Sequence, residues 1–219
     1  MSSLIVDKKA QPELYRNIIS ENEHVTKRFV LRSIMIAGQS STSQAQLGLT
    51  TSFIRSAHHF STANILNRPG DYRTKDNRGA PAFLCKPAPA RQLNGLMNEL
   101  VMECNRDWHK LETVELAGYA MWRIMSFQAF HDANKRTARA TTTFILGRRF
   151  GINPLIYGPH DIFQRIRQDS HPYFTGILRT DETVARAKQY GTHTGRDDTY
   201  HMTMMLSHYL RQAMELSRA

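Results

Sequence analysis

A chain of 219 residues is long enough for one large domain with a full hydrophobic core. Hydrophobic residues make up 41% of it, which excludes a disordered chain. No apolar run approaches the roughly 20 residues that span a membrane. The 29 Lys and Arg outnumber the 19 Asp and Glu, for a net charge of +10 with His neutral. That balance invites an anionic partner, but the cations are scattered, with no basic tail, so nucleic-acid binding is kept only as an alternative. Cys85 and Cys104 have neither disulfide nor metal spacing and suggest a reducing compartment. The opening MSSLIVDKK is not a cleavable export signal. The expected location is cytoplasmic, with a secreted effector as the alternative.

Taken in order, residues 12–37 predict a helix. Pro12 suits its first turn, and Leu14, Ile18, Val25, Phe29 and Ile36 lie roughly on one stripe. The charge-poor stretch 38–52 reads as a loop. A second helix is predicted over 52–66, with Phe53, Ile54, Ala57, Phe60, Ala63 and Ile65 as its apolar face. His58 and His59 sit side by side within it and point in different directions, so one packs and the other is solvated. After Asn67–Arg73 an extended stretch runs to Lys86, with turn residues at 76, 77 and 79 and a short strand at 82–85, consistent with a hairpin. Helices follow over 90–106 and 112–127. The second of these is apolar around so much of its circumference that it belongs in the core. Another is predicted over 135–150, held by Phe144, Ile145 and Phe150 because its three consecutive threonines are poor helix formers. Shorter helical patterns at 160–169 and 181–190, a loop at 191–198 and a final helix at 199–216 complete the chain. The fold class is mainly α: a helical bundle with one small β-hairpin.

Between the two central helices lies QAFHDANKRTAR, residues 128–139. The first N–H groups of a helix are unpaired and carry the positive end of its dipole, so a loop entering one is a natural phosphate cradle. Small Ala133 sits where a tight turn is needed. Arg136 and Arg139 share one face and can fork onto phosphate oxygens. Asp132 is placed to hold a magnesium ion against them. The same pattern also suits a solvated charged turn between core helices.

The stretch resembles the Fic-family signature H-P-F-x-(D/E)-(G/A)-N-(G/K)-R-x-x-R. Phe130, Asp132, Ala133, Asn134, Lys135, Arg136 and Arg139 match it in spacing. Ala129 stands where proline is usual, and Gln128 where the resemblance places a catalytic histidine. Pro69-Gly70-Asp71-Tyr72-Arg73 is similar to the family's segment before a hairpin flap that captures target protein by strand addition; Phe83 and Leu84 would be its docking residues. The resemblance covers residues 52–178, leaving 1–51 as an N-terminal helical extension with its loop and 179–219 as a C-terminal one.

The resemblance implies transfer of AMP from ATP to a protein hydroxyl. Asp132 would hold Mg2+; Ala133, Asn134, Lys135, Arg136 and Arg139 would hold the phosphates of ATP or another nucleotide, and Phe130 would anchor the loop. Gln128 occupies the base position, and an amide cannot accept a proton at neutral pH. The expectation is a nucleotide-binding protein impaired in transfer. The alternatives are an active nucleotidyl- or phosphotransferase using another base or carrying an engineered His-to-Gln change, and a basic nucleic-acid-binding protein. Lys135 also occurs in the family's toxin-like phosphotransferase branch. Family members often block their own site with a helix bearing (S/T)-x-x-x-E-(G/N), whose glutamate pairs with the second motif arginine. No Ser or Thr precedes any glutamate here by four residues, so self-blocking is not expected. A separate inhibitor chain and a target protein on the flap are the expected partners, and no membrane.

Overall fold

The structure, a computed structural model, describes residues 5–39, 48–77, 87–151, 161–189 and 199–218. Among them are eight α-helices: α1 (Pro12–Gln39), α2 (Thr51–Thr62), α3 (Leu93–Arg106), α4 (Thr113–Phe127), α5 (Asn134–Phe150), α6 (Ile162–Gln168), α7 (His171–Gln189) and α8 (Tyr200–Arg218). The fold is mainly α, as the periodicity predicts. The hairpin predicted before α3, with Phe83 and Leu84, lies outside the described residues, as does the 191–198 loop.

α4 is the axis of the bundle. Leu116, Ala117, Ala120, Met121 and Ile124 are inaccessible to solvent, and α5 and α8 pack along it. Gly118 allows α8 to approach closely: a Cβ there would meet the Met202 backbone at 3.3 Å. The Trp122 indole N–H donates to Asp181 Oδ1 at 2.8 Å, tying α4 to α7. Thr142 and Thr143 of α5 return their hydroxyls to carbonyls four residues back, so these buried groups need no outside partner.

Several boundaries and faces differ from those predicted. α2 stops at Thr62 because Asn64 takes a left-handed φ of 61°. Ile65, expected on its apolar face, instead forms a second small cluster with Leu66, Val6 and Tyr15. The buried stripe of α1 is Tyr15, Asn22, Thr26, Val30 and Ile34, while Leu14 and Ile36 are exposed. Hydrophobicity misread this helix because its polar members face partners across the interface: Asn22 reaches the Ala63 carbonyl and Thr26 the Ser61 hydroxyl. Phe150, expected to help hold α5, is likewise exposed, at the end of its helix. α7 begins ten residues earlier than the 181–190 pattern suggests and runs unbroken through 178, since Pro172 is tolerated in a first turn.

No helix among the described residues is long and apolar enough to cross a membrane.

Candidate functional site

The loop from α4 to α5 turns through two left-handed residues, Gln128 (φ 45°) and Ala133 (φ 57°). Neither is glycine, so each conformation costs about 1–2 kcal/mol and must be held by its surroundings. Three devices hold it. Asn134 closes the loop on itself: its Oδ1 accepts the Phe130 N–H at 3.0 Å and its Nδ2 donates to the Phe130 carbonyl at 2.9 Å. The side chain of Asn134 therefore shapes the loop, and its backbone N–H is what it offers to a ligand.

The second device lies beneath. Phe130 is fully buried, stacked on His58 at 3.9 Å and tilted against Tyr72 at 5.3 Å. His58 Nδ1 accepts the Gly70 N–H at 2.8 Å, which leaves Nε2 protonated to donate to the Asp132 carbonyl at 3.2 Å. That tautomer is neutral. Burial pushes the imidazole pKa down to about 4, so it stays uncharged at working pH. Gly70 meets it with φ 91°, and a Cβ there would press on the Arg55 carbonyl at 3.2 Å. His59 is exposed. Among the described residues no three His, Cys, Asp or Glu cluster as metal ligands.

The third device is Arg73, which is almost wholly buried. Its guanidinium donates to the Gln128 carbonyl at 2.7 Å, the Lys75 carbonyl at 2.8 Å, the Phe127 carbonyl at 3.4 Å and the Ala88 carbonyl. A cation capping the last carbonyls of α4 complements its dipole. The same side chain joins the residues on either side of 78–86 to the loop. Ala129, at the motif's proline position, is buried and accepts the Arg73 N–H at 2.9 Å.

Above this floor lies a cavity of about 480 Å³. Gln128, Asp132, Ala133, Asn134, Lys135, Arg136 and Arg139 all line it, together with His131. The first intrahelical bond of α5 runs from the Thr137 N–H to the Ala133 carbonyl, so the preceding three N–H groups have no helical acceptor. Arg136 donates to the Ser61 carbonyl at 2.7 Å and stands 3.6 Å from Asp132 Oδ2. The Lys135 ammonium lies over the Phe174 ring at 4.7 Å, and burial with the nearby charge of Arg139 lowers its pKa. Gln128 is 8% exposed, and its Oε1 accepts the Asn77 amide at 2.9 Å.

Two contributors from α1 have no motif to announce them. Tyr15 donates its hydroxyl to Asp132 Oδ2 at 3.0 Å. Glu23 pairs with Arg139 at 3.6 Å and with Arg167 of α6 at 2.7 Å. Burial lowers the Arg139 pKa and the Glu23 carboxylate opposes that shift. The expectation drawn from the missing self-blocking motif concerns sequence alone, and Glu23 stands on Arg139 without that motif. Position 19 is isoleucine, so a motif scan passes over Glu23, yet the geometry sets it on the second arginine.

The Fic/DOC family model matches residues 48–146. The chain's fold is similar to a Fic family protein from Desulfovibrio desulfuricans G20 (TM-score 0.60, 17% identity, 90% of this chain and 53% of that one). It is also similar to a Fic domain containing signaling protein from Bacteroides thetaiotaomicron VPI-5482 (0.62, 19%, 90% and 70%). A third likeness is to Fic-1, residues 134–508, from C. elegans (0.59, 14%, 91% and 51%). Identities this low speak for the fold alone, and this chain spans about half the length of the first and third. No curated protein matches it at a significant level. The helical bundle and the loop between its two central helices thus define a Fic-type domain. The part of the chain that the Fic/DOC family model covers, residues 48–146, is a little under half of it.

Proposed function

We propose that the chain holds a nucleoside di- or triphosphate with a divalent cation at residues 128–139, and that it is impaired in transferring AMP to a protein hydroxyl. The observation that carries this is convergence: Asp132, the cations Lys135, Arg136 and Arg139 and the first turn of α5 line a single cavity with Gln128, to which α1 adds Glu23 and the segment before it Lys8. Arg136 and Arg139 would grip phosphate oxygens, and Lys135 adds charge beside them. The first-turn N–H groups of α5 would cradle the same oxygens.

Asp132 fits a magnesium ion. Its side chain is 40% exposed and lines the cavity, and each carboxylate oxygen keeps a lone pair beyond the hydrogen bond it already accepts. Mg2+ commonly binds through one or two carboxylates, with phosphate oxygens and water completing its shell. When bound, the cation would neutralise phosphate charge. Gln128 can orient a hydroxyl but cannot take its proton, and its carbonyl oxygen is already engaged by Asn77. A target protein docking on Phe83 and Leu84 belongs to the same proposal.

His131 lines the same cavity and gives a second reading, an active transferase with that imidazole as base. His58 does not, because it is spent beneath the loop. Glu23 favours a further element: a built-in brake, holding Arg139 until nucleotide displaces it. Calorimetric titration of ATP with Mg2+ into the unmodified chain tests the proposal; one-to-one saturable binding is expected, and no binding would end it.

A further inference from the structure

The matched segment, 48–146, excludes α1, yet α1 supplies the donor that orients the candidate metal carboxylate. Tyr15 reaches Asp132 across 117 positions of sequence. Its ring is fixed from several sides. It is buried with Val6, Ile65 and Leu66, with Ile18 and Ile19 packed against them, and the Lys8 ammonium lies 6.0 Å from its centroid. Backbone bonds from the Ile5 N–H to the Ile65 carbonyl and from the Gln11 N–H to the Asp7 carbonyl, each 2.8 Å, lock the preceding segment onto the same cluster.

Asp132 is consequently held at both oxygens: Oδ1 accepts the Ala133 N–H at 2.6 Å and Oδ2 the Tyr15 hydroxyl. Arg136 stands 3.6 Å from Oδ2, too far for a hydrogen bond. Without the tyrosine hydroxyl, that guanidinium remains as an ion-pair partner of Oδ2. The carboxylate would rotate toward it, shortening the ion pair into a hydrogen bond and engaging a lone pair that a cation would otherwise take.

We propose that Tyr15 is a positioning residue for the cation site, keeping Asp132 turned to the cavity and out of hydrogen-bond contact with Arg136. This rests on the reading that the loop holds a nucleotide with a divalent cation. Partners of this kind behind metal ligands typically contribute about 10–100-fold to affinity.

Tyr15→Phe removes only the hydroxyl and keeps the ring in its cluster. Mn2+ is the probe, its free fraction read by electron paramagnetic resonance in the presence of saturating ADP. Binding of ADP alone is measured by calorimetry in EDTA. The expected result is Mn2+ affinity about tenfold weaker in Tyr15→Phe, with metal-free ADP affinity within about twofold of the unmodified chain. Equal or tighter Mn2+ binding by the variant would overturn the proposal. So would an equal loss of ADP affinity in EDTA, which would make Tyr15 a structural prop of the whole loop. If the unmodified chain takes up neither Mn2+ nor ADP, the nucleotide reading itself fails and this inference falls with it. That outcome is separate from a comparison in which only the variant behaves unexpectedly.

Discussion

Replacing Glu23 by glutamine should tighten nucleotide binding. The carboxylate sits 3.6 Å from Arg139 and 2.7 Å from Arg167, so a phosphate approaching Arg139 meets a negative charge. At a separation of about 6 Å and an effective dielectric near 20, that repulsion is about 3 kcal/mol. The Glu23 side chain is 35% exposed, and solvent and salt screen such a charge, so roughly half that value is retained. About 1.4 kcal/mol corresponds to a tenfold gain in affinity. Glutamine keeps the shape and an oxygen for Arg167, which limits the loss of packing between α1 and α6. The assay is calorimetric titration of ATP with Mg2+ into both proteins at about 0.05 and 0.5 M salt, the higher concentration shrinking the difference. Unchanged or weaker binding at low salt would show that Glu23 does not hold the site closed.

Two predictions concern the floor of the loop. His58 is buried neutral with its pKa lowered to about 4 from 6.5, so between those values the unfolded chain binds a proton that the folded one refuses. Stability from this group is full above pH 6.5 and falls as the pH drops toward 4, by up to about 3 kcal/mol. Denaturation midpoints followed against pH should fall more steeply for the unmodified chain than for His58→Gln, and parallel curves would refute this. Arg73→Met keeps the buried stem but strips four carbonyls of their donor. It should cost about 3 kcal/mol or more in urea denaturation, and a loss under about 1 kcal/mol would show that the clamp is dispensable.

The helices carrying the site were legible because α4 and α5 combine strong periodicity with a distinctive loop. The loop residues that face the cavity were legible for the same reason, since Asp132, Lys135, Arg136 and Arg139 advertise their chemistry by type and spacing. What holds the loop was not. Asn134 matches the motif, but only the structure shows its side chain spent on Phe130. His58 reads as half of an ambiguous pair until its two nitrogens are seen bonded to the backbone on opposite sides. α1 was hardest: Tyr15 lies on a stripe diluted by Asn22 and Thr26, Glu23 is a half-buried charged residue beside it, and their partners are more than a hundred positions away. Long-range polar contacts leave no periodic trace, so neither a hydrophobic stripe nor a motif scan could find them.

The most direct measurement of the central claim is transfer by Gln128→His, with the unmodified chain beside it, using ATP labelled at the α- or the γ-phosphate. The substitution puts a proton acceptor at the cavity wall and leaves every phosphate-facing residue in place. A positioned general base is worth about 10²–10⁴ in rate. The account expects α-label on protein at least about a hundredfold above the unmodified chain, and label from the γ-phosphate alone would mean phosphotransfer instead. A variant that binds nucleotide but stays silent with both labels, or an unmodified chain already as active as the variant, would contradict the claim that Gln128 is what limits this site.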